Sequence, residues 1–329
     1  MENEKLTLQD VLEAAKRIRP YVRRTPLLRE QSMDETLDCQ VYVKPEMLQV
    51  SGSFKMRGAS NKILSLSEEE RKCGIITSSS GNHGRACALL GQMTGTRVAV
   101  VLPEDTPSRK IEVIRSLGAE VILGPREYPV RWQLVEQQVA EHGYIIVHAY
   151  EDYKVMAGQG TIGLEILEDL PYIDTIIVPI GGGGLISGIS TVLKTLRPEV
   201  RIIGVQAENS DPYVESRKAG HPVVIDCRPT IADGLTGRRP GVNPYPIIDK
   251  NVDELVAVPE DAIAGAVRLT ADRANLIAEP SSCVGIAALL SGRVQVRPDE
   301  RVAFVLTSGN WDNELIGRIL LGETVEGVL

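Results

Sequence analysis

The feature that most constrains the fold of this chain is a repeated alternation of short apolar runs with amphipathic stretches. The runs are rich in Val and Ile, which is typical of strands buried on both faces of a parallel sheet. Strand–helix alternation of this kind predicts an α/β fold in which helices cover both faces of mostly parallel sheets. The predicted strands are residues 41–44, 74–79, 97–102, 119–123, 144–148, 174–180, 201–206, 253–257 and 301–307.

Two stretches between the strands carry more specific local predictions. Residues 105–118 (DTPSRKIEVIRSLG) predict a helix in which Thr106 is the cap, Pro107 lies in the first turn and Gly118 ends the helix. Residues 228–247 (RPTIADGLTGRRPGVNPYPI) are rich in Pro and Gly and predict a long loop. Long loops inside compact domains are often functional.

The composition excludes several classes of function. The 329 residues carry a net charge of -8, so nucleic acid is not an expected partner, because phosphate binding needs a basic surface. No apolar run reaches membrane-spanning length, and the histidines lack metal-ligand spacing, so neither a membrane nor a metal is expected. Reduced thiols in a cytoplasm are indicated by five scattered cysteines, Cys39, Cys73, Cys87, Cys227 and Cys283.

The strongest local signal is a run of four glycines between an apolar strand and a helical pattern, in VPIGGGGLISG at residues 178–188. Main-chain N–H groups at such a turn point outward at the positive end of a helix dipole, which favours phosphate. A tight strand-to-helix turn alone would need one glycine, whereas four give up much backbone entropy. The run therefore predicts an anion site, with a simple tight turn as the alternative.

A second signal is SSSGNHG at residues 78–84, which also follows an apolar strand and precedes a helical pattern. Hydroxyls, an amide and an imidazole gathered at a helix N-terminus predict recognition of an anion such as a carboxylate. A simple helix cap with incidental neighbours is the alternative. Taken alone, His83 is more typical of a buried structural histidine.

The third signal is Lys55 in SGSFKMRG, residues 51–58, directly after Phe54. A lysine beside an aromatic ring and glycines is open to desolvation, which lowers the pKa of the amine and makes it a nucleophile. Such amines form imines with carbonyl groups, including that of pyridoxal phosphate. The alternative is an ordinary surface lysine at the start of a helix.

Together these motifs resemble the pyridoxal-phosphate enzymes of the tryptophan synthase β-like group (fold type II), in particular the branch of threonine/serine dehydratases and serine racemase. The resemblance extends over nearly the whole chain, through the fragments RTPLL, SGSFKMRGA, SSGNHG, AGQGTIGLEI, GGGGL, GVQAE, TIADGL, AEPSS and TSGN. It implies two three-layer αβα domains with the cofactor in the cleft between them. The large, cofactor-binding domain would comprise residues 1–49 and 150–329, and a small mobile domain, residues 50–149, would be inserted in it.

The resemblance also implies a role for each motif. Lys55 would hold pyridoxal 5'-phosphate covalently and later move the substrate Cα proton, and Phe54 would support the ring. Asn82 would bind the ring hydroxyl, and Thr307 would meet the ring nitrogen. The phosphate would be bound by Gly181, Gly182, Gly183, Gly184 and Leu185. The substrate carboxylate would be surrounded by Ser79, Ser80, Asn82 and His83.

The implied reaction is β-elimination. A hydroxyl at Thr307, unlike a carboxylate, does not keep the ring nitrogen protonated, and this favours loss of a β-substituent over transamination. The resemblance therefore implies dehydration and deamination of a β-hydroxy amino acid, L-threonine and also L-serine, to a 2-oxo acid and ammonia. It further implies a homo-oligomer, either a dimer or a tetramer.

Other activities within the branch remain open. Ser80 stands where the racemases carry the acid on the opposite face of the ring, so serine racemase is an alternative. The metal-site positions of that branch read Gln206 and Pro212 here, so no metal is expected. A pair of arginines, Arg238 and Arg239, would be suited to a second carboxylate, as in a threo-3-hydroxyaspartate dehydratase, although a solvated basic loop is the simpler interpretation. A hydroxyectoine-pathway dehydratase is a further alternative.

Two hypotheses lie outside this class. GQGTIG, residues 158–163, matches the dinucleotide fingerprint and would suggest a nucleotide-dependent oxidoreductase. It does not follow a predicted strand, so a closely packed helix start is the preferred interpretation. The other hypothesis is a catalytically silent ligand-binding protein, because a fold alone does not define a function.

Overall fold

The structure is a computed structural model that describes residues 5–327. Its strands are β1 (Leu28–Arg29), β2 (Gln40–Pro45), β3 (Ile75–Ser78), β4 (Val98–Pro103), β5 (Glu120–Gly124), β6 (Ile145–Ile146), β7 (Thr175–Pro179), β8 (Arg201–Ala207), β9 (Glu254–Val258) and β10 (Arg301–Leu306). All nine predicted strands are confirmed, as β2 to β10. The two-residue β1 was not predicted, because so short a strand leaves no periodic pattern.

The strands form two sheets. The larger has the order β1-β2-β10-β7-β8-β9, and the smaller has the order β5-β4-β3-β6. Only β1 pairs antiparallel, with β2; all the other pairings of these ten strands are parallel. In the larger sheet, Val302 of β10 pairs with Val41 of β2 on one side and with Thr175 of β7 on the other, so the last strand lies at the centre.

The connections between strands are mostly helical, as the alternation predicted. The helices are α1 (Leu8–Ile18), α2 (Asp34–Leu37), α3 (Lys55–Ser65), α4 (Glu68–Cys73), α5 (Asn82–Thr94), α6 (Ser108–Ser116), α7 (Tyr128–His142), α8 (Tyr153–Asp169), α9 (Gly184–Leu196), α10 (Pro212–Ala219), α11 (Pro244–Asn251), α12 (Glu260–Ala274), α13 (Pro280–Leu290) and α14 (Asn313–Leu320). In residues 5–327 no helix combines the length and the apolar character needed to cross a bilayer.

Each sheet is the middle layer of three. Along β10, Val302 and Phe304 join a core beneath α12 and α13, whereas Ala303 and Val305 join a core beneath α8 and α9. The smaller sheet divides in the same way, since Ile75 and Ile76 of β3 belong to different cores. This confirms the predicted α/β class with two three-layer αβα units. The domain boundaries at residues 50 and 150 stay a prediction.

Three local predictions need correction, and the first concerns α6. This helix begins at Ser108, and Pro107 is its N-cap with extended backbone angles, so neither the first-turn position of Pro107 nor the cap by Thr106 is found. The Thr106 hydroxyl is buried without a hydrogen-bond partner among the described residues. The end of this helix is as predicted, because Gly118 follows it with φ +81°.

The GQGTIG stretch lies in the middle of α8, not at a helix start, so that part of the interpretation is wrong. Its close packing is confirmed: a Cβ on Gly158 would lie 2.5 Å from the carbonyl oxygen of Arg57. A Cβ on Gly160 would lie 2.9 Å from the carbonyl oxygen of Gly188. These glycines allow close helix packing. They do not form the turn between a strand and a helix that a dinucleotide-binding fingerprint requires.

The loop predicted over residues 228–247 is shorter than expected. It contains one short 3-10 turn at Asp233–Leu235, and α11 begins at Pro244. The prolines near the end of the stretch start this helix, because Pro suits the first turn, where its missing N–H is not needed.

Candidate active site

A cavity of about 780 Å³ lies where the carboxyl ends of strands from both sheets meet. Its walls include the ends of β3 and β4 from the smaller sheet and the ends of β7 and β10 from the larger sheet. Ligands of open α/β sheets bind at the carboxyl ends of the strands. The structure brings every predicted site residue to the border of this cavity: Phe54, Lys55, Ser79, Ser80, Asn82, His83, Gly181, Gly182, Gly183, Gly184, Leu185 and Thr307.

Lys55 is the first residue of α3 and is partly buried at the cavity wall. Its Nζ donates a hydrogen bond to the carbonyl oxygen of Ala149 at 3.0 Å and lies 5.0 Å from the centre of the Phe54 ring. Loss of solvent around the amine lowers the pKa of Lys55 to about 8. The amine is therefore neutral over a pH range in which an exposed lysine is charged.

The glycine run forms the turn between β7 and α9, and Gly183 has φ +92°. Its neighbours leave no room for side chains. A Cβ on Gly182 would lie 2.1 Å from the Tyr150 ring, and one on Gly183 would lie 2.3 Å from the Tyr213 hydroxyl oxygen. The turn thus presents bare main chain to the cavity at the N-terminus of a thirteen-residue helix.

Lys55 and the glycine turn are held side by side by one short segment. The carbonyl oxygen of Ala149 accepts the Lys55 hydrogen bond, and the ring of the next residue, Tyr150, packs on Gly182. An amine and a phosphate-binding turn therefore share one cavity wall. This arrangement suits a ligand that carries both a carbonyl group and a phosphate.

Asn82 is the first residue of α5, and its side chain is held by hydrogen bonds to residues from the C-terminal part of the chain. Its Nδ2 donates to the Ser308 hydroxyl at 3.0 Å and to Glu279 at 3.3 Å, and its Oδ1 accepts from Asn310 at 2.6 Å. Ser79 and Ser80 precede it in the turn that follows β3. The helix N-terminus and these hydroxyls make this wall suitable for an anion.

His83 is buried, as the structural interpretation of this histidine predicted. Its Nε2 lies 3.0 Å from the carbonyl oxygen of Val147, which only accepts, so Nε2 carries the proton. Burial lowers the pKa of His83 to about 3, and Nδ1 is left without a partner among the described residues. A neutral ring that presents an acceptor does not attract a carboxylate, so a contact with the substrate carboxylate would have to use the His83 main-chain N–H.

Thr307 follows β10, and its hydroxyl lies 2.9 Å from the Ser282 hydroxyl. It borders the cavity and is buried. The strand end therefore presents a neutral group at the position where the resemblance places the ring nitrogen. The roles of the individual site residues toward the cofactor stay predictions.

The residues present fit pyridoxal phosphate. The cavity offers an amine whose pKa is lowered to about 8, a glycine turn at a helix N-terminus whose close neighbours leave no room for side chains, and a neutral hydroxyl. When bound, this cofactor needs an amine for its aldehyde and main-chain donors for its phosphate. In this chain Lys55 and the glycine turn match those two needs.

Sequence reasoning missed several ionisable residues that border the cavity, and Glu279 and Arg131 are two of them. Glu279 precedes α13 in the AEPSS fragment, and burial raises the pKa of its carboxyl to about 7. Arg131 lies in the first turns of α7, where its Nε donates to the Ser78 hydroxyl at 3.1 Å. An acidic residue before a proline in an apolar stretch was a usable signal for Glu279, whereas Arg131 was indistinguishable from a surface arginine on a helix.

The arginine pair at 238–239 does not border the cavity. Arg238 pairs with Asp226 at 2.7 Å, and both side chains are exposed. For Arg238 the simpler interpretation of a solvated basic loop therefore fits the structure better than recognition of a second substrate carboxylate.

The two positions at which the racemase branch carries its metal site, Gln206 and Pro212 here, have a structural role in this chain. Gln206 accepts hydrogen bonds through Oε1 from the main-chain N–H of Tyr213 at 2.8 Å and from that of Val214 at 3.2 Å. It thereby caps α10, whose first residue is Pro212. Glu208, nearby in sequence, pairs with Arg293. Within the described part of the chain, no three His, Cys, Asp or Glu residues are grouped as metal ligands would be.

The buried Glu279 leads to a prediction about stability. Because burial favours the protonated carboxyl, the native state keeps this proton to a higher pH than the unfolded chain does. Its contribution is present below pH 4.5 and is lost as the pH rises through about 7. We expect the free energy of unfolding of the cofactor-free protein to fall by ~1–3 kcal/mol more between about pH 5 and about pH 8 than that of Glu279→Gln. Denaturant titrations at several pH values measure this difference.

The matched control for that prediction is Glu69→Gln, which removes an exposed carboxylate on α4. It should leave the pH slope of the native protein unchanged. Equal slopes for the native protein and Glu279→Gln would show that Glu279 titrates normally in the fold.

The two-sheet fold, with a desolvated lysine beside a glycine-lined helix N-terminus, defines a pyridoxal-phosphate enzyme of the tryptophan synthase β-like class. The family model described as "Pyridoxal-phosphate dependent enzyme" matches residues 18–308, and the chain belongs to that family. Its cofactor is pyridoxal phosphate, which excludes the nucleotide-dependent oxidoreductase as the interpretation of the site.

Individual relatives are similar over nearly the whole chain. An L-threonine ammonia-lyase of Thermotoga maritima is 42% identical over 315 residues, which are 96% of this chain and 78% of the relative. The crystal structure of serine racemase from Dictyostelium discoideum is 38% identical with a TM-score of 0.88, covering 93% of this chain and 99% of the other. The structure of maize serine racemase is 32% identical with a TM-score of 0.91, with coverages of 97% and 98%.

Proposed function

We propose that this protein is an L-threonine ammonia-lyase, which dehydrates and deaminates L-threonine, and L-serine as a second substrate, to a 2-oxo acid and ammonia. The observation that carries the proposal is that Thr307 offers a neutral hydroxyl in the same cavity as Lys55 and the glycine turn. The similarity to the Thermotoga maritima L-threonine ammonia-lyase supports it.

The site residues would divide the work as follows. Pyridoxal phosphate, when bound, supplies an electron-withdrawing ring that stabilises negative charge on the substrate Cα. Lys55 would hold its aldehyde carbon, the glycine turn its phosphate and Thr307 its ring nitrogen. Asn82 would meet the ring hydroxyl, and Phe54 would pack against the ring.

Lys55 is the group that moves the substrate proton. Its pKa of about 8 leaves a substantial neutral fraction at the pH of a cell, so Nζ is able to take the Cα proton as a general base. The bond between the β-carbon and oxygen then breaks, and the hydroxyl leaves as water after it takes up a proton. The unsaturated amine that is released is hydrolysed to the 2-oxo acid and ammonium.

The substrate carboxylate would lie against the start of α5. Main-chain N–H groups at this helix end and the hydroxyls of Ser79 and Ser80 are suited to an anion, and the helix dipole favours it. His83 would contribute only its main-chain N–H, because its ring is neutral and Nε2 is bound to Val147.

A panel of amino acids tests the proposal. We expect 2-oxo acid formation to be fastest with L-threonine and slower with L-serine, and very slow with D-serine and threo-3-hydroxyaspartate. Measurements of kcat/KM by a coupled 2-oxo acid assay, together with chiral analysis of the remaining amino acid, give the ranking. Faster conversion of L-serine to D-serine than to pyruvate would identify a racemase, and a preference for threo-3-hydroxyaspartate would identify a dehydratase for a dicarboxylic substrate.

The racemase alternative has a specific observation in its favour, because Ser80 places a hydroxyl at the cavity wall. We expect Ser80→Ala to lower D-serine formation by at least about tenfold, since a general acid–base group contributes that much or more, while L-threonine elimination falls far less. Ser79→Ala is the matched control, because it removes a neighbouring hydroxyl without the proposed proton transfer. Loss of elimination in Ser80→Ala equal to the loss of racemisation would contradict a separate racemising role.

We also propose that the protein works in the cytoplasm as a homodimer or homotetramer. The five cysteines are all free thiols in the structure, which is consistent with a reducing compartment. Light scattering coupled to size-exclusion chromatography distinguishes a dimer or a tetramer from a monomer of 35.8 kDa.

A further inference from the structure

A cluster of four charged side chains lies beneath the active site, in the interior of the protein. We call it the buried ion cluster; its members are Lys44, Glu46, Arg57 and Glu165. Three of them are fully buried, and Glu165 is 14% exposed. The positive and negative charges balance, which removes the largest cost of placing charges in a protein interior.

The geometry of the cluster leaves little freedom to Arg57. Its guanidinium donates to both oxygens of Glu46 at 2.8 Å and to the two oxygens of Glu165 at 2.6 and 2.9 Å. Lys44 donates to Glu165 at 2.6 Å. Two bidentate pairs fix both the position and the plane of the guanidinium.

The cluster gathers motifs that the active site does not use. Thr25 of the RTPLL fragment donates to Glu46 at 2.6 Å, and its carbonyl oxygen accepts from Lys44 at 2.6 Å. From the AGQGTIGLEI fragment, Thr161 lies 3.1 Å from Nη1 of Arg57 and Glu165 supplies the second carboxylate. Fragments far apart in the chain therefore converge on a single arginine.

Arg57 is two residues from Lys55 in the first turn of α3. That helix start has no side-chain cap, since Phe54 stands at the N-cap position. It is held instead by contacts before and after Lys55. The main-chain N–H of Phe54 donates to the carbonyl oxygen of Thr307 at 3.0 Å, and Arg57 is bound by the cluster.

Stability alone does not explain such a cluster, because well-packed apolar residues often stabilise a core as much as buried ion pairs do or more. Directional bonds supply something that apolar packing does not, namely a fixed position along and around the helix axis. We propose that the buried ion cluster is a positioning device for Lys55: through Arg57 it sets the place and orientation of the first turn of α3, and hence of the amine. The proposal rests on the role of Lys55 in the proposed function.

Glu165→Gln is the main test, because it keeps the shape of the side chain and removes one carboxylate from both Arg57 and Lys44. The cofactor-free full-length protein is mixed with pyridoxal phosphate, and the rate of covalent capture is followed by visible absorbance. We expect capture to slow by at least about tenfold, and kcat for L-threonine to fall by a similar factor with KM changed less than about threefold, because the nucleophile is misplaced.

A matched control separates positioning from loss of stability. Asp174→Asn breaks the pair of Asp174 with Arg301, which spans 2.8 Å at the amino ends of β7 and β10, whereas the cavity lies at their carboxyl ends. It should lower the thermal midpoint without changing the rate of capture. If Glu165→Gln captures the cofactor as fast as the native protein, or if both variants slow capture in proportion to their loss of stability, the cluster is only structural and the proposal is overturned.

Further variants keep the test decisive if Glu165→Gln folds poorly. The double variant Lys44→Met/Glu165→Gln restores the balance of charge but leaves Arg57 without its second carboxylate. We expect it to regain thermal stability while capture remains slow, whereas recovery of both would overturn the proposal. Failure of the proposed function is recognised separately, because the native protein would then capture the cofactor through Lys55 but form no 2-oxo acid from L-threonine.

Discussion

Replacement of Lys55 with alanine is expected to abolish ammonia release from L-threonine, with a fall in kcat of at least about 1000-fold, because the same amine serves as nucleophile and general base. Borohydride reduction followed by peptide mass spectrometry should find pyridoxal phosphate attached to the peptide that contains Lys55 in the native protein. No such adduct is expected in Lys55→Ala.

The control for this prediction lies on the same helix. Lys62 of α3 pairs with Asp152 at 2.8 Å and does not border the cavity. Lys62→Ala should keep both the adduct and the activity. Substantial activity in Lys55→Ala, or an adduct on another lysine of the native protein, would contradict the assignment.

The lowered pKa of Lys55 adds a pH dependence to the same experiment. Since the neutral amine is the nucleophile, the rate at which the cofactor-free protein captures pyridoxal phosphate should rise as the pH increases and level off above about 8. A rate that continues to rise toward pH 10.5, the ordinary lysine value, would show that burial does not perturb this amine.

The second large effect is expected from Gly183→Ala. A Cβ at this position meets the Tyr213 hydroxyl at 2.3 Å, and φ +92° is unfavourable for any residue with a side chain. Tyr213 would have to move, and its hydroxyl now binds both the carbonyl oxygen of Gly182 and the N–H of Gly241 at 2.9 Å. We expect the dissociation constant of pyridoxal phosphate to rise by about 100-fold or more, which corresponds to roughly 3 kcal/mol.

Gly220→Ala is the control, because Gly220 also has a positive φ, +74°, but no atom lies within 4 Å of its Cβ position. It should lower stability modestly and leave cofactor affinity unchanged. Equal effects of the two substitutions on affinity would show that backbone strain, not the shape of the glycine turn, determines binding. Fluorescence titration with pyridoxal phosphate measures the cofactor affinity of both variants.

The sequence allowed the local parts of the site to be predicted. A strand followed by glycines and a helix is a contiguous pattern, so the turn containing Gly183 and the start of α5 were placed correctly. The strands of the two sheets were also found, because buried parallel strands are continuous apolar runs. Lys55 was found because its neighbours, Phe54 and the glycines, are unusual around a charged residue.

The contacts between distant parts of the chain could not be predicted in the same way. Asn82 and Ser308 are 226 positions apart, and no periodic pattern connects them. The charges of the buried ion cluster look individually like surface residues, because their burial depends on partners from other segments. At Thr106 the local pattern itself was misleading. The threonine was a plausible cap, but Pro107 has an extended backbone, so the helix begins one residue later than predicted.

The central position of β10 has a consequence for synthesis of the protein on the ribosome. Strand β2 ends at Pro45, whereas its parallel partner β10 does not begin until Arg301. At ordinary translation rates β2 therefore waits on the order of tens of seconds with one edge unpaired. During that interval the unpaired edge of an apolar strand is exposed to association with other nascent chains, until β10 has left the exit tunnel and pairs with it.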